Sequence, residues 1–537
     1  MSIAKKLSKI LNPQAWHRLL RSYVERCRAA RLREQVEANY RFHGSLSSGN
    51  GAQTVVTDGM WDNPNHFFRL HLFLKALPGI ENYRLLGVIR HKHDRTRQTL
   101  EAFGFREFIF IEAHQFKTED FLPQARTLLE KVRTHADLLN LDLPLGLPAY
   151  TYYDTVLKYA RDPQPPLTDP LWLSRLAETL RDLAIYQQLM DEHEVTQVVL
   201  SHPWKIEFAT LMWTALQRRI PSYHLTGFCE GIRVRRLLQP ADYATPVEHV
   251  PYREYAALPQ PVRERLRRTG LAYLAQRETG VSSDINACYS FRPAARIDTH
   301  AEAKLALGGQ PSRPMVIIYA HAWFDFPHTY AMRNFTDFLD WMRFTMAQIH
   351  AIKSVDWVLK PHPLEAWYGG TQLAKLIGEL PSHIRLIPTD TDSLTCMLAA
   401  DAIVTVHGTI ALEAAAHGLC VIAADRSYYS DWGFSHVANS REHYAQLLAS
   451  VVQLSAPSES QKEDALACMT LSLAPPPVEM DAINLRCDSS GSILYRDMLG
   501  RGTDEIDREI LALRTWLQGT AVSYAAHRKI LYFGSTP

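Results

Sequence analysis

The second half of the chain sets five short apolar runs at regular spacing: 315–319 (MVIIY), 357–359 (WVL), 384–387 (IRLI), 402–406 (AIVTV) and 420–423 (CVIA). Stretches of helical period at 333–353, 371–379, 393–400, 409–417 and 440–454 lie between or after them. A chain that alternates in this way is restricted to a largely parallel sheet with helices on both faces, a doubly wound α/β layer. The first half repeats the plan. After a flexible GSLSSGNG at 44–51, strands are predicted at 54–57 (TVVT), 83–89, 107–111, 195–200 and 222–226. Helices are predicted at 65–77 and 94–103, through a helical middle at 119–195, and from the Ser201-His202-Pro203 turn to Arg219.

One core cannot serve all of this, because 537 residues exceed the roughly 250–300 at which a single hydrophobic core stops growing. The expected division is a basic helix and linker at 1–50, a Rossmann-like acceptor domain at 51–240 and a helical connection at 241–312. A second Rossmann-like domain at 313–455 and an extension at 456–537 follow, the latter a loop over 455–480 before its best helix at 503–517. Residues 1–40 carry nine Lys and Arg through Arg33 against Glu25, with Leu7, Ile10, Leu11, Trp16, Leu19, Leu20 and Val24 at helical spacing. That pattern suits either an anionic membrane surface or a solvated arm. Lys plus Arg total 58 against 57 for Asp plus Glu, which argues against a dedicated nucleic-acid binder. The seven cysteines form no CxxC, so neither a disulfide framework nor a zinc site is expected. The chain has no apolar run of about 18–20 residues and no signal-peptide core. The expectation is a cytoplasmic protein, peripheral at most on the inner face of the membrane.

Ligands of open α/β sheets sit at the carboxyl ends of the strands. The candidates in the second half are therefore His321 with Trp323, Lys360-Pro361-His362-Pro363, Thr389-Asp390, His407-Gly408-Thr409 and Asp425-Arg426. Gly408 admits a close backbone approach, and the amides of Thr409 and Ile410 open a helix, an arrangement suited to phosphate. Lys360 and His362 add donors from the next strand end, on a turn stiffened by two prolines. Asp390-Thr391-Asp392 has the letters of a metal motif but reads as the cap of a helix beginning near Ser393. GxxxxGK[ST], a strand-linked GxGxxG, GxSxG and HExxH are all absent, which removes the usual nucleotide, hydrolase and zincin alternatives.

The run DWVLKPHP (356–363), followed by DAIVTVHGTIALEAAAHGLCVIAAD (401–425), resembles the second domain of GT-B glycosyltransferases. It is most similar to the bacterial capsule-polysaccharide synthesis proteins that include Kdo transferases using CMP-Kdo. The resemblance implies two Rossmann-like doubly wound domains of GT-B type. It also implies that His362 and Pro363 form an HP motif, that Thr409 stands in a hydroxyl position, and that Glu413 binds the ribose. The implied reaction is inverting transfer without a metal or other cofactor. The donor is a nucleotide-sugar, CMP-linked and Kdo-like, and the acceptor is a lipid-linked or oligosaccharide precursor of capsule or lipopolysaccharide. Such a reaction needs a general base from the first domain, for which Asp58, Asp62, His202 and Glu230 compete, each also an ordinary cap or turn residue. His91 and His93 would contact an acidic acceptor or a solvated loop. A CDP-alcohol phosphotransferase of teichoic-acid type and a sugar-nucleotide epimerase share enough of this pattern to stand as alternatives.

Overall fold

The computed structural model describes residues 51–525, apart from 62–63, 92–94, 227–231, 247, 281–289, 292–296, 331, 364, 366–372 and 474–502. The amphipathic segment 1–40, Asp62, His93 and Glu230 therefore lie outside the described residues.

Two sheets organise the chain. The second contains β7 (Met315–Tyr319), β8 (Asp356–Lys360), β9 (Ile384–Leu386), β10 (Ala402–Thr405), β11 (Cys420–Ala423) and β12 (His436–Val437). Its spatial order is β12-β11-β10-β7-β8-β9, every pair parallel. All five residues of β7 and of β8 are buried, as expected of strands covered on both faces. Counted from β7, this is the 3-2-1-4-5-6 order of a doubly wound sheet, with its reversal between β7 and β10.

The first sheet contains β1 (Gln53–Asp58), β2 (Arg84–Ile89), β3 (Glu107–Phe110), β4 (Glu194–Leu200), β5 (Ser222–Thr226) and β6 (Arg233–Leu237), with a C-terminal β13 (Ser523–Ala525). Its order is β13-β6-β5-β4-β1-β2-β3, parallel except at β6 and β13, and it reverses between β1 and β4. Both sheets thus point their reversals, where a crevice opens, at the ends of two central strands.

The helices that flank these strand ends and join the two halves are α1 (Pro64–Ala76), α2 (Ala149–Ala160), α3 (Pro170–Glu192), α4 (Ile206–Gln217), α5 (Gln260–Glu278), α6 (Phe338–Ala351), α7 (Ser393–Ala399), α8 (Ile410–Ala416), α9 (Glu459–Leu473) and α10 (Thr503–Gln518). The expected loop over 455–480 is instead, through Leu473, the helix α9, buried from Asp464 to Ser472 against α5 and α8. The connection expected at 241–312 contains α5, which packs with the second half through α9. The chain then returns to the first half. There α10 lies on α1, and β13 pairs with β6 while Arg236 stacks over Trp516 at 4.6 Å. No described helix is long and apolar enough to cross a membrane.

Candidate functional site

The reversal of the second sheet brings together side chains that the sequence spreads over ninety residues. His321 follows β7 and His407 follows β10, with ring centroids 4.8 Å apart. His321 stacks on Phe338 of α6 at 4.6 Å, and its Nε2 lies 3.3 Å from the Thr405 hydroxyl. Burial holds both imidazoles neutral: His407 is depressed to about 3 and His321 well below its ordinary value. Nδ1 of His407 is buried and has no hydrogen-bond partner among the described residues, an orphan polar atom at the strand end.

One strand over, β8 delivers Lys360 and His362. Lys360 is buried, its Nζ donating to the Thr391 carbonyl at 2.6 Å above the Tyr319 ring. His362 is half-buried, and desolvation lowers it to about 4 against the opposing pull of Asp325. Pro361 is buried and Pro363 half-buried, so the rigid turn presents His362 at the rim. On the other side, a Cβ on Gly408 would lie 2.8 Å from Thr405 Oγ1, the atom that accepts the Gly408 amide. Thr409 is exposed and its side chain makes no cap hydrogen bond, which leaves the hydroxyl for a ligand. The amides of Thr409 and Ile410 precede the first bonds of α8, a helix of only seven residues, so they act as local donors with little dipole behind them.

Other expected residues serve the fold. Trp323 is buried and donates to Glu365 at 2.9 Å, and Asp425 accepts the amides of Arg333 and Asn334 at 2.8 and 2.6 Å. Asp392 caps α7 by accepting the Thr395 amide at 2.9 Å, as its place before the helix implies. Arg426 is exposed, and so is His91. The ribose role carried to Glu413 meets a direct obstacle. Its Oε1 accepts Nε and Nη2 of Arg277 at 2.9 and 2.6 Å, and only 3% of each side chain is exposed.

At the reversal of the first sheet, Asp58 has no exposed surface. Its two oxygens accept the Ser201 amide and hydroxyl at 2.6 and 2.8 Å, stitching β1 to the end of β4. Burial outweighs those bonds and raises the carboxyl to about 6. A carboxylate sealed in this way cannot reach an acceptor hydroxyl. His202 does face the second half, 5.5 Å from the Phe326 ring. Its Nδ1, however, accepts the Trp204 amide at 3.1 Å, so the neutral ring carries its proton on Nε2 and presents a donor rather than a base. Beyond it lie Lys205, Tyr159, Arg90 and a buried Glu207, which takes the Tyr159 hydroxyl and Arg90.

No family model matches the chain, and no curated protein matches it significantly. Among solved structures it is similar to the KpsC β-Kdo 2,4 transferase of Thermosulfurimonas dismutans, at 13% identity and TM-score 0.32 over 53% of this chain and 85% of that one. It is also similar to the UDP-GlcNAc 2-epimerase of Neisseria meningitidis bound to UDP-GlcNAc, at 11% identity and TM-score 0.23 over 77% and 94%. CalG4, the calicheamicin glycosyltransferase, matches at 13% identity and TM-score 0.28 over 86% and 98%. The structure itself shows two largely parallel, doubly wound sheets, one in each half.

The two halves meet through residues that sequence reasoning missed. Asp325, Phe326 and His328, on the segment after β7, touch the first half: Asp325 pairs with Lys158, Phe326 with His202, and His328 with Asp154. Their signal was present in part, since all three follow the strand whose end already held His321. Nothing local marks Asp154, mid-helix in α2, or Lys158 in its last turn. Among the described residues no group of three or more His, Cys, Asp or Glu is arranged to hold a metal ion.

Proposed function

We propose that the protein is an inverting, metal-independent glycosyltransferase that moves a sugar from a nucleotide-activated donor onto a surface-polysaccharide acceptor. The donor is CMP-linked and Kdo-like, and residues 1–40 contact an anionic membrane surface that carries a lipid-linked acceptor. The observation that carries the reading is that His321, His407, Gly408 and Thr409 meet at the sheet reversal, with Lys360 and His362 at the adjoining end of β8. An orphan imidazole nitrogen, an exposed hydroxyl, free amides and a half-buried histidine are donors that a leaving nucleotide phosphate requires where no metal assists. Glu413 and Asp58 have no part in this reading, because their carboxylates are spent inside the protein.

Calorimetry with CMP, CDP, UDP and GDP tests it. Wild type should prefer a cytidine nucleotide, and His362→Ala should weaken that binding by about tenfold, the loss expected of a charge-assisted hydrogen bond to phosphate. Binding of none of the four overturns the proposal, and preference for UDP or GDP overturns the cytidine donor. In the same preparations, removal of 1–40 should abolish sedimentation with anionic liposomes, and undiminished sedimentation removes the membrane contact.

A further inference from the structure

Asp154 and His328 stand on opposite halves and close on each other through two hydrogen bonds. The His328 amide donates to Asp154 Oδ2 at 3.0 Å and Nδ1–H to Oδ1 at 2.7 Å. Tyr150 stacks on the imidazole at 5.6 Å and 18°, and Tyr153 meets it edge-on at 6.0 Å, its own hydroxyl fixed by Asp337 at 2.6 Å. The ring therefore has one orientation. With Nδ1–H committed to a carboxylate, the neutral ring carries its lone pair on Nε2, and among the described residues nothing bonds to that atom. This is the reverse of His202, whose Nε2 is a donor. The turn that holds His328 also holds Tyr330, whose ring lies 4.9 Å from that of His407.

We propose that His328 is the catalytic base of the transfer, taking the acceptor hydroxyl's proton at Nε2, and that Asp154 is its positioning residue. The assignment rests on the transferase reading above. In the step, the acceptor oxygen forms a bond to the donor's anomeric carbon as the bond from that carbon to the phosphate oxygen breaks. The electron pair leaves with the nucleotide phosphate, and the hydroxyl proton ends on Nε2 before it passes to water. Asp154 holds the tautomer and stabilises the imidazolium. Because Asp154 bridges the halves, the base is set in place only when the two halves are docked.

Burial disfavours the charged ring, yet Asp154, with Asp337 and Asp425 beyond it, outweighs burial and lifts the imidazole above its ordinary value. His407 is held neutral by burial, and Tyr150 and Tyr153 are neutral too, so no cationic neighbour among them offsets these carboxylates. Turnover should thus rise with pH as His328 loses its proton, and Asp154→Asn should move that limb to lower pH.

The test measures nucleotide release from CMP-Kdo and UDP-GlcNAc with a Kdo-terminated oligosaccharide acceptor, alongside nucleotide affinity. His328→Gln should lower kcat about a hundredfold or more, the range of general-base contributions, with nucleotide affinity kept within about twofold. Asp154→Asn should lower kcat less and shift the acid limb. A His328→Gln enzyme within about threefold of wild type overturns the assignment and leaves the transferase standing. Wild type that binds no nucleotide overturns both. Long-range ¹H–¹⁵N spectra of histidine-labelled wild type give a reading free of folding effects: a neutral His328 protonated on Nε2 overturns the assignment whatever the turnover.

Discussion

Arg277 and Glu413 show what a single pair of side chains does deep in this protein. The pair joins α5 to α8 across 136 residues, and Arg277 also lies over the rings of Tyr273 and Phe291 at 5.5 and 6.0 Å. Each charge is tolerated only because the other is there. Arg277→Met should cost about 3–5 kcal/mol of unfolding free energy by leaving a buried carboxylate unpaired, whereas replacing both partners by apolar residues should cost far less. Guanidinium unfolding of Arg277→Met and of Arg277→Met with Glu413→Leu checks this, and a double variant as unstable as the single one refutes it. The pair also marks how far the site could be read from residues alone. Lys360, His362, His407 and Thr409 were legible because each sits at a strand end or within a few positions of one. Glu413 looked like a ligand because its partner lies in a distant, charged helix. Asp58 looked like a base because Asp-Gly after a strand reads the same whether the carboxylate faces solvent or Ser201. Asp154 and His328, 174 residues apart, carry no signal that links them.

At the scale of elements, the crossing of α5 and α9 is a close approach of two backbones, and Gly270 makes it. A Cβ there would lie 2.1 Å from the Leu466 carbonyl oxygen, and Thr470 donates to the Leu266 carbonyl at 2.8 Å in the same crossing. Gly270→Ala gains about 1 kcal/mol of helix propensity. Pushing two backbones apart costs about 1–3 kcal/mol or more, so the substitution should destabilise. A melting temperature at or above wild type would contradict the crossing. The partner helix α9 escaped the sequence reading for a related reason. Its buried face contains Ala465, Ala467, Cys468 and Ser472, small residues that pack closely but give no apolar stripe. β6 escaped because RVRRL reads as solvated, yet Arg233 and Arg235 are buried, Arg235 held by the carbonyls of Asp242 and Pro246. The central strands were legible to within one residue at most ends, because burial on both faces demands continuous apolar runs. Edge strands such as β12 and β13, two and three residues long, demand nothing comparable.

Over the whole molecule, these buried imidazoles set a limit on the pH at which either half holds together. His66, His224 and His407 are depressed to about 3 and His362 to about 4, and His114, His202 and His321 are also lowered, all mainly by desolvation. In the unfolded chain each titrates near 6.5. As pH falls through that value the unfolded state takes up protons that the native state refuses, so stability is lost. Four carboxyls oppose the trend: burial raises Asp58 to about 6, Asp182 to about 7, and Asp337 and Asp425 above their ordinary range. These groups bind protons first in the native state and favour it as pH falls. His328 and His417 are raised, so the native state binds their protons first and their full stabilisation is present at pH 5, which also opposes the loss. Seven depressed imidazoles, three of them held at about 3, outweigh the four raised carboxyls and two raised imidazoles and leave a net loss on acidification. The denaturant midpoint should therefore be lower at pH 5.0 than at pH 7.5, with unfolding free energy reduced by at least ~2 kcal/mol. His66→Leu should narrow the gap, because both ring nitrogens of His66 are buried with no hydrogen-bond partner among the described residues, and the residue sits on α1 in the first half. Equal midpoints at the two pH values would mean that the imidazoles are solvated in the native protein. The acid limb expected of His328 lies above an ordinary imidazole's value, close to where the unfolding profile begins to fall, so the rate and unfolding profiles have to be recorded on the same samples, and only a fall in turnover that precedes the loss of structure belongs to His328.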